Sequence, residues 1–270
     1  MEEEDTSEEN RMSFLDHLTE LRKRLLWCVV AIFVLFIPAY AYSSVIFDYL
    51  MRPIIENLPE GSSLIFTMPA EGFMTYLKVS FFAALFGAVP FILYQVWKFV
   101  APGLYKHEKM IVIPFISFGT IFFLLGGAFC YYIAAPKAFQ FLLNEYSSEY
   151  VKAFPSIKEA LSFFMGLLLG FGLIFEFPLV VFVLARLGLV TSRWLRRQWK
   201  YAILISAVAA AALTPTTDAV SMMFMFVPIV VFYGLGILVA WLFGKERRQK
   251  AAEDIEDTDE PEGPGPKDGF

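Results

Sequence analysis

Six apolar runs of roughly membrane-spanning length divide this chain, near 25–42, 73–99, 110–134, 161–187, 201–213 and 220–243. An even number of spans returns both termini to one side. On that side fall Arg11, Arg22, Lys23, Arg24, Lys98, Lys106, Lys109, Arg186, Arg193, Arg196, Arg197, Lys200, Lys245, Arg247, Arg248, Lys250 and Lys267. The opposite side holds only Arg52, Lys137, Lys152 and Lys158, while Lys78 sits inside a span near its outer end, where its long stem can snorkel. Positive residues concentrate on the cytoplasmic side of multi-pass proteins, so 17 against 4 predicts an all-α integral membrane protein with cytoplasmic N- and C-termini.

With 57% hydrophobic residues, 30 Phe and 18% charged residues, the chain is too apolar for a soluble protein of 270 residues. The net charge of -5 comes from acids in the two tails, residues 1–12 and 247–270, and the remaining cytosolic surface is basic, suited to an anionic leaflet. Both tails have too little apolar content to order themselves and are expected to be disordered around a membrane domain at 13–246. The acidic start does not fit a secretory signal, and the first run is expected to stay as an anchor. Cys28 and Cys130 fall near opposite faces, too far apart for a disulfide, and no internal or inverted repeat is visible.

Four segments carry the functional signal. In the first, Ser13 and Asp16 form a capping-box pattern, and Phe14, Leu18, Leu21 and Leu25 make an apolar face leading into the first span. Asp16, Glu20 and Arg24 share a flank at i, i+4 spacing, which reads either as a surface ion-pair ladder or as a binding patch. In the second, Pro102-Gly103 ends the second span, and Glu108 opens the third helix, where the helix dipole favours a carboxylate even without a ligand. Glu20 and Glu108 are nevertheless acids set beside the membrane in otherwise basic segments, an arrangement that invites a cationic partner.

The third segment is Phe175-Glu176-Phe177-Pro178, whose carboxylate lies mid-bilayer and is either a functional group or a protonated, hydrogen-bonded structural one. Pro178 cannot donate to the carbonyl of Ile174 and should kink the helix. In the fourth, the fifth run would span only about 20 Å against a hydrocarbon core of about 30 Å. Its alanines at 207 and 209–212 allow close helix approach, for a docked partner or for packing within the bundle. Thr214-Pro215-Thr216-Thr217-Asp218 then turns tightly into the sixth run.

In order and spacing, His17-Leu18-Thr19-Glu20-Leu21-Arg22-Lys23-Arg24-Leu25, the block from Tyr94 to Glu108, Phe175-Glu176-Phe177-Pro178, and Leu213-Thr214-Pro215 with Asp218 together resemble the TatC family, the receptor subunit of the twin-arginine protein translocase. The resemblance covers residues 14–245 and implies a concave bundle of six transmembrane helices with short fifth and sixth members. It implies a Sec-independent translocase subunit in a prokaryotic plasma membrane that binds twin-arginine signal peptides at its cytosolic face through Glu20, Glu108, Arg22 and Phe99. It also implies shape-setting roles for Pro53, Pro69 and Asp218, and docking of TatA- and TatB-type single-span partners near Thr214, Ser221 and Met222. Assembly with further copies of the chain and with lipid belongs to the same expectation, and the energy source implied is the proton-motive force. One departure is Met222, where many members carry a glutamine.

Rival classes find little in the residues. There is no HExxH, no Gly-x-Ser-x-Gly elbow and no Walker A pattern, so no enzyme, metal site or cofactor is expected. A proton-coupled small-solute transporter is the remaining alternative, weakened by Glu176 being its one clear mid-membrane candidate. The basic residues sit at membrane boundaries and give no sign of nucleic-acid binding.

Overall fold

The computed structural model describes residues 2–100, 112–144, 154–213 and 219–244, and these are almost entirely helical. The order is α1 (Glu2–Ala41), α2 (Ser43–Ile55), α3 (Glu71–Val100), α4 (Val112–Phe129), a π-helical turn (Cys130–Ala134), α5 (Ala135–Asn144), α6 (Ile157–Arg186), α7 (Ser192–Arg197), α8 (Trp199–Leu213) and α9 (Ala219–Phe243). Five stretches are long and apolar enough to cross a membrane, His17–Ala41, Glu71–Phe99, Ile113–Leu143, Ile157–Arg186 and Met222–Phe243. The fifth run of the sequence is the shorter apolar helix, Trp199–Ala212.

Two features depart from the sequence reading. Residues 2–12, expected to be disordered, continue α1 towards the N-terminus. Glutamate is a good helix former, and acids in the first turns complement the positive end of the helix dipole, so a low apolar content does not by itself prevent a helix there. The segment after the first span, where no helix was expected, contains α2, whose Leu50, Met51, Pro53 and Ile54 are buried. Helix α6 runs unbroken through Pro178, and both cysteines are free.

The bundle is built on an antiparallel crossing of α4 and α6. At Gly126, an added Cβ would lie 2.6 Å from the backbone oxygen of Phe171, and at Gly172 one would lie 2.7 Å from the ring of Phe123. Each helix therefore presents a glycine where the other backbone or ring arrives, the small-residue contact that lets membrane helices approach closely. Gly126→Ala is expected to force the helices apart and destabilise the protein by about 1–3 kcal/mol, the usual range for overpacking. A lowered thermal midpoint of the purified protein in detergent checks this.

Around that crossing, Phe164, Phe171, Leu161, Met51 and Ile54 fill the main core, and a second cluster of Val181, Ala185, Leu195 and Ala240 joins α6, α7 and α9. Helix α1 is different: it packs along α3, and none of its membrane-length window is buried. It lies against the bundle as an outer arm.

At the end of the bundle away from the N-terminus of α1, two helix irregularities fit together. Pro53 lacks an N–H, so the carbonyl of Tyr49 loses its partner four residues on. The Tyr131 hydroxyl donates to that carbonyl at 2.8 Å, and the hydroxyls of Tyr49 and Tyr132 lie 3.2 Å apart. The extra residue of the π turn lets the neighbouring side chains of Tyr131 and Tyr132 both reach α2.

On the same end, Ile65 forms a parallel bridge with Ser156. The Ile157 amide donates to the Ile65 carbonyl at 3.1 Å. Glu71, at the start of α3 and only 3% exposed, completes the junction. Its Oε1 accepts from Ser156 Oγ and the Lys158 amide, each at 2.8 Å, and its Oε2 accepts from the Thr67 amide at 2.6 Å, Thr67 Oγ1 at 2.8 Å and the Met68 amide at 3.3 Å. Ser156, the N-cap of α6, makes no side-chain cap of its own. The orphan N–H groups that begin every helix are here satisfied by a loop and a carboxylate from elsewhere in the chain.

Candidate functional site

The end of the bundle that carries the N-terminal half of α1 also carries the C-terminal ends of α3, α6 and α9, because α1 runs antiparallel to α3 and α4 runs antiparallel to α6. On α1, His17, Glu20 and Arg24 recur at i, i+3 and i+7 and so share the face turned to α3. The His17 ring stacks on Phe99 with centroids 4.2 Å apart and planes inclined by 20°. One turn further in, Arg24 Nε donates to Glu20 Oε1 at 3.1 Å, and Arg24 Nη2 pairs with the same oxygen. Arg24 Nη1 reaches Gln95 Oε1 of α3 at 3.5 Å.

The structure thus brings two of the expected site residues, Glu20 and Phe99, onto one seam, and adds His17, Arg24 and Gln95 to them. The sequence reading had Arg24 at the end of a flank that was either a surface ladder or a binding patch, and did not single out Gln95. A polar amide within the apolar and aromatic 94–100 stretch was the one available signal, and in the structure it is buried at 8% exposure. Arg22 is exposed beside this seam. Trp97 is buried and packs on Phe115 of α4 at 4.8 Å, while Lys98 lies over the Tyr94 ring at 4.6 Å. Glu108, Thr214 and Asp218 lie outside the described residues, as do the side chains of Asp16 and Ser221.

Chemically, the seam offers a carboxylate on a rigid helix, one-third exposed, with a guanidinium already on it. A carboxylate so placed is an acceptor for a planar cation approaching from the basic face, and the His17–Phe99 stack supplies a flat apolar wall beside it.

Glu176 stands apart from the seam. It lies ten residues before the end of α6 at Arg186, about 15 Å along the axis. It is buried, and its Oε1 has no hydrogen-bond partner among the described residues. A Cβ added at Gly119 of α4 would come within 3.3 Å of its Oε2 and clash with Leu93 and Leu179, so the absence of a side chain at Gly119 makes the space for the carboxyl. The carboxyl therefore faces α4 and α3. A separate apolar groove of about 520 Å³ opens between α6, α8 and α9, lined by Leu173, Phe177, Ser206, Ala209 and Tyr233 among others. Met222 packs inward against the main core. Pro53 is buried in α2 as described, and Pro69 is exposed in the turn that leads to Glu71. Lys78, to which no function was assigned, donates to Ser162 Oγ at 3.4 Å.

Residues 16–228 match the family model of the Sec-independent protein translocase protein TatC. The chain belongs to the TatC family. Its TatC relatives include the Sec-independent protein translocase protein TatC of Desulforapulum autotrophicum, 42% identical over 252 residues that cover 93% of each chain. Another is the protein of the same name from Escherichia coli K12, 36% identical over 245 residues, covering 90% of this chain and 94% of that one. Among solved structures, the crystal structure of the twin-arginine translocase receptor TatC superposes with a TM-score of 0.76 at 33% identity, covering 83% of this chain and 97% of that one. TatC proteins are components of a protein translocase and not an enzyme family, and the match leaves the solute-transporter alternative without support. The chain is accordingly a multi-pass membrane protein of the twin-arginine translocation machinery.

Proposed function

We propose that this chain is the receptor that takes the consecutive arginines of a twin-arginine signal peptide at its cytosolic face. The observation that carries the reading is the Glu20 carboxylate, held partly exposed on α1 against α3 amid basic residues. Guanidinium and carboxylate form paired, charge-assisted hydrogen bonds, and a lysine cannot reproduce that fork. Glu108 is the second carboxylate of the site, Phe99 its apolar wall and Arg22 its neighbour.

The positive-inside bias supports cytoplasmic termini in a prokaryotic plasma membrane, and the short α8 (Trp199–Leu213) supports a thinned fifth span that brings the number to six. TatA- and TatB-type helices dock along α8 and α9 near Thr214, Ser221 and Met222, and several receptor copies gather in the working complex. Pro53, Pro69 and Asp218 set the shape of the outer face. Glu176 acts on the membrane or on arriving helices rather than on the signal. Glu176→Ala is expected to reduce export several-fold and leave the signal bound; unchanged export removes the role.

The receptor reading is tested by photo-reactive residues placed beside Glu20 and Glu108 in the inserted protein. An Arg-Arg precursor is expected to crosslink and a Lys-Lys precursor to crosslink at least tenfold less. Equal crosslinking of the two precursors overturns the reading.

A further inference from the structure

The carboxylate assigned to the signal's arginine already holds one. Arg24 contributes two nitrogens to Glu20 Oε1, and its third nitrogen lies toward Gln95 Oε1 on the facing helix. Its side chain is 19% exposed and that of Glu20 is 34% exposed, so solvent reaches the pair and keeps it weak enough to exchange. Glu20 precedes Arg24 by one helical turn in the favourable order, and Gln95 Oε1 lies 3.5 Å from the guanidinium across the seam.

We propose that Arg24 is a resident competitor, a guanidinium of the receptor that occupies Glu20 in the unloaded state and is displaced by an arginine of the signal. The inference rests on the receptor reading above and deepens it. A signal arginine whose fork engages both oxygens of Glu20 must displace Arg24 from Oε1, where it has already placed two donors. Since both are guanidinium groups, the exchange is close to balanced at Glu20 itself. Binding then requires further contacts, with Glu108 and with the rest of the peptide, to tip it. A stray arginine side chain on another protein lacks those contacts and does not open the site.

The competition has a definite quantitative form. An intramolecular occupant reduces the competent fraction of the site by one factor, and that factor multiplies the dissociation constant of every ligand alike. For a part-exposed ion pair the factor is roughly threefold to sixfold. Removing the competitor should therefore tighten Arg-Arg and Lys-Lys signals by the same factor and leave their ratio unchanged. A residue that instead orients Glu20 would act in the opposite direction, because its loss would weaken the Arg-Arg signal selectively.

The test uses the full chain in nanodiscs of neutral lipid, with fluorescent signal peptides carrying Arg-Arg or Lys-Lys. Arg24→Gln is expected to lower both dissociation constants roughly threefold to sixfold with the ratio held. Arg24→Lys, which keeps the charge and loses the fork, is expected to give a smaller gain in the same direction, and it also serves if the glutamine variant fails to insert. Unchanged or weaker Arg-Arg binding in these variants, with Glu20→Gln still weakening it in the unmodified background, overturns the competitor and leaves the receptor standing. Arg-Arg binding by the unmodified chain that is indifferent to Glu20→Gln overturns the receptor reading itself.

Discussion

Replacing Glu20 with alanine is expected to weaken binding of an Arg-Arg signal by about thirtyfold, and replacing Glu20 and Glu108 together to abolish export of a folded twin-arginine precursor. A hydrogen bond to a charged group contributes on the order of 2 kcal/mol, which is about thirtyfold in affinity. The loss is increased because Arg24, left without its carboxylate, adds an uncompensated positive charge next to the arriving arginines. The protein itself should insert normally, since α1 packs on α3 through its apolar length and a part-exposed ion pair contributes little to stability. Titrating the labelled signal against inserted receptor, followed by an export assay on the double variant, checks both parts. Export at the unmodified rate by the double variant would sink the carboxylate assignment.

The second large effect is structural and lies at the other end of the bundle. Glu71→Gln is expected to destabilise the junction of the 65–71 segment with α6 by about 2 kcal/mol, and Glu71→Ala by more. All five of its partners are donors, three of them backbone amides divided between its two oxygens. The hydroxyls of Thr67 and Ser156 can rotate and accept, but an amide cannot. Whichever way a glutamine is turned, its NH₂ therefore faces at least one backbone N–H, either that of Lys158 or those of Thr67 and Met68. A carboxylate satisfies all of them because it only accepts. Limited proteolysis of the 56–70 loop and a thermal melt in detergent measure the change; an unaltered melt of the glutamine variant contradicts the argument.

The contrast between these two sites explains what was legible beforehand. The spans could be read because lipid demands long apolar runs, and Glu20 stood out as an acid among cations at a membrane boundary. Its companion Gln95 is neutral and was hidden in an aromatic block. Glu71 looked like an ordinary acid in the first turn of a helix, since its most telling partners, Ser156 and Lys158, lie 85 and 87 residues further along. Helix α2 was missed because Arg52 and Pro53 interrupt it, and the use of Pro53 depends on Tyr131, a residue brought near only by a π turn. Glu176 was placed at its depth by counting along a helix, but its direction depends on Gly119, and no periodicity within α6 contains that glycine.

The shared cap of α6 also bears on how the protein is made. Chains are synthesised from the N-terminus, so the 65–71 segment leaves the ribosome well before Ser156. The acceptors that finish α6 thus wait for their helix. Until α6 arrives, Glu71 holds only its local donors from Thr67 and Met68 on Oε2 and keeps Oε1 open at the mouth of α3, and when α6 does arrive its first amides find partners already in place. A defect at Glu71 should then show first in newly made protein, as slow completion of the fourth long helix during insertion, and only afterwards as a weakened finished molecule.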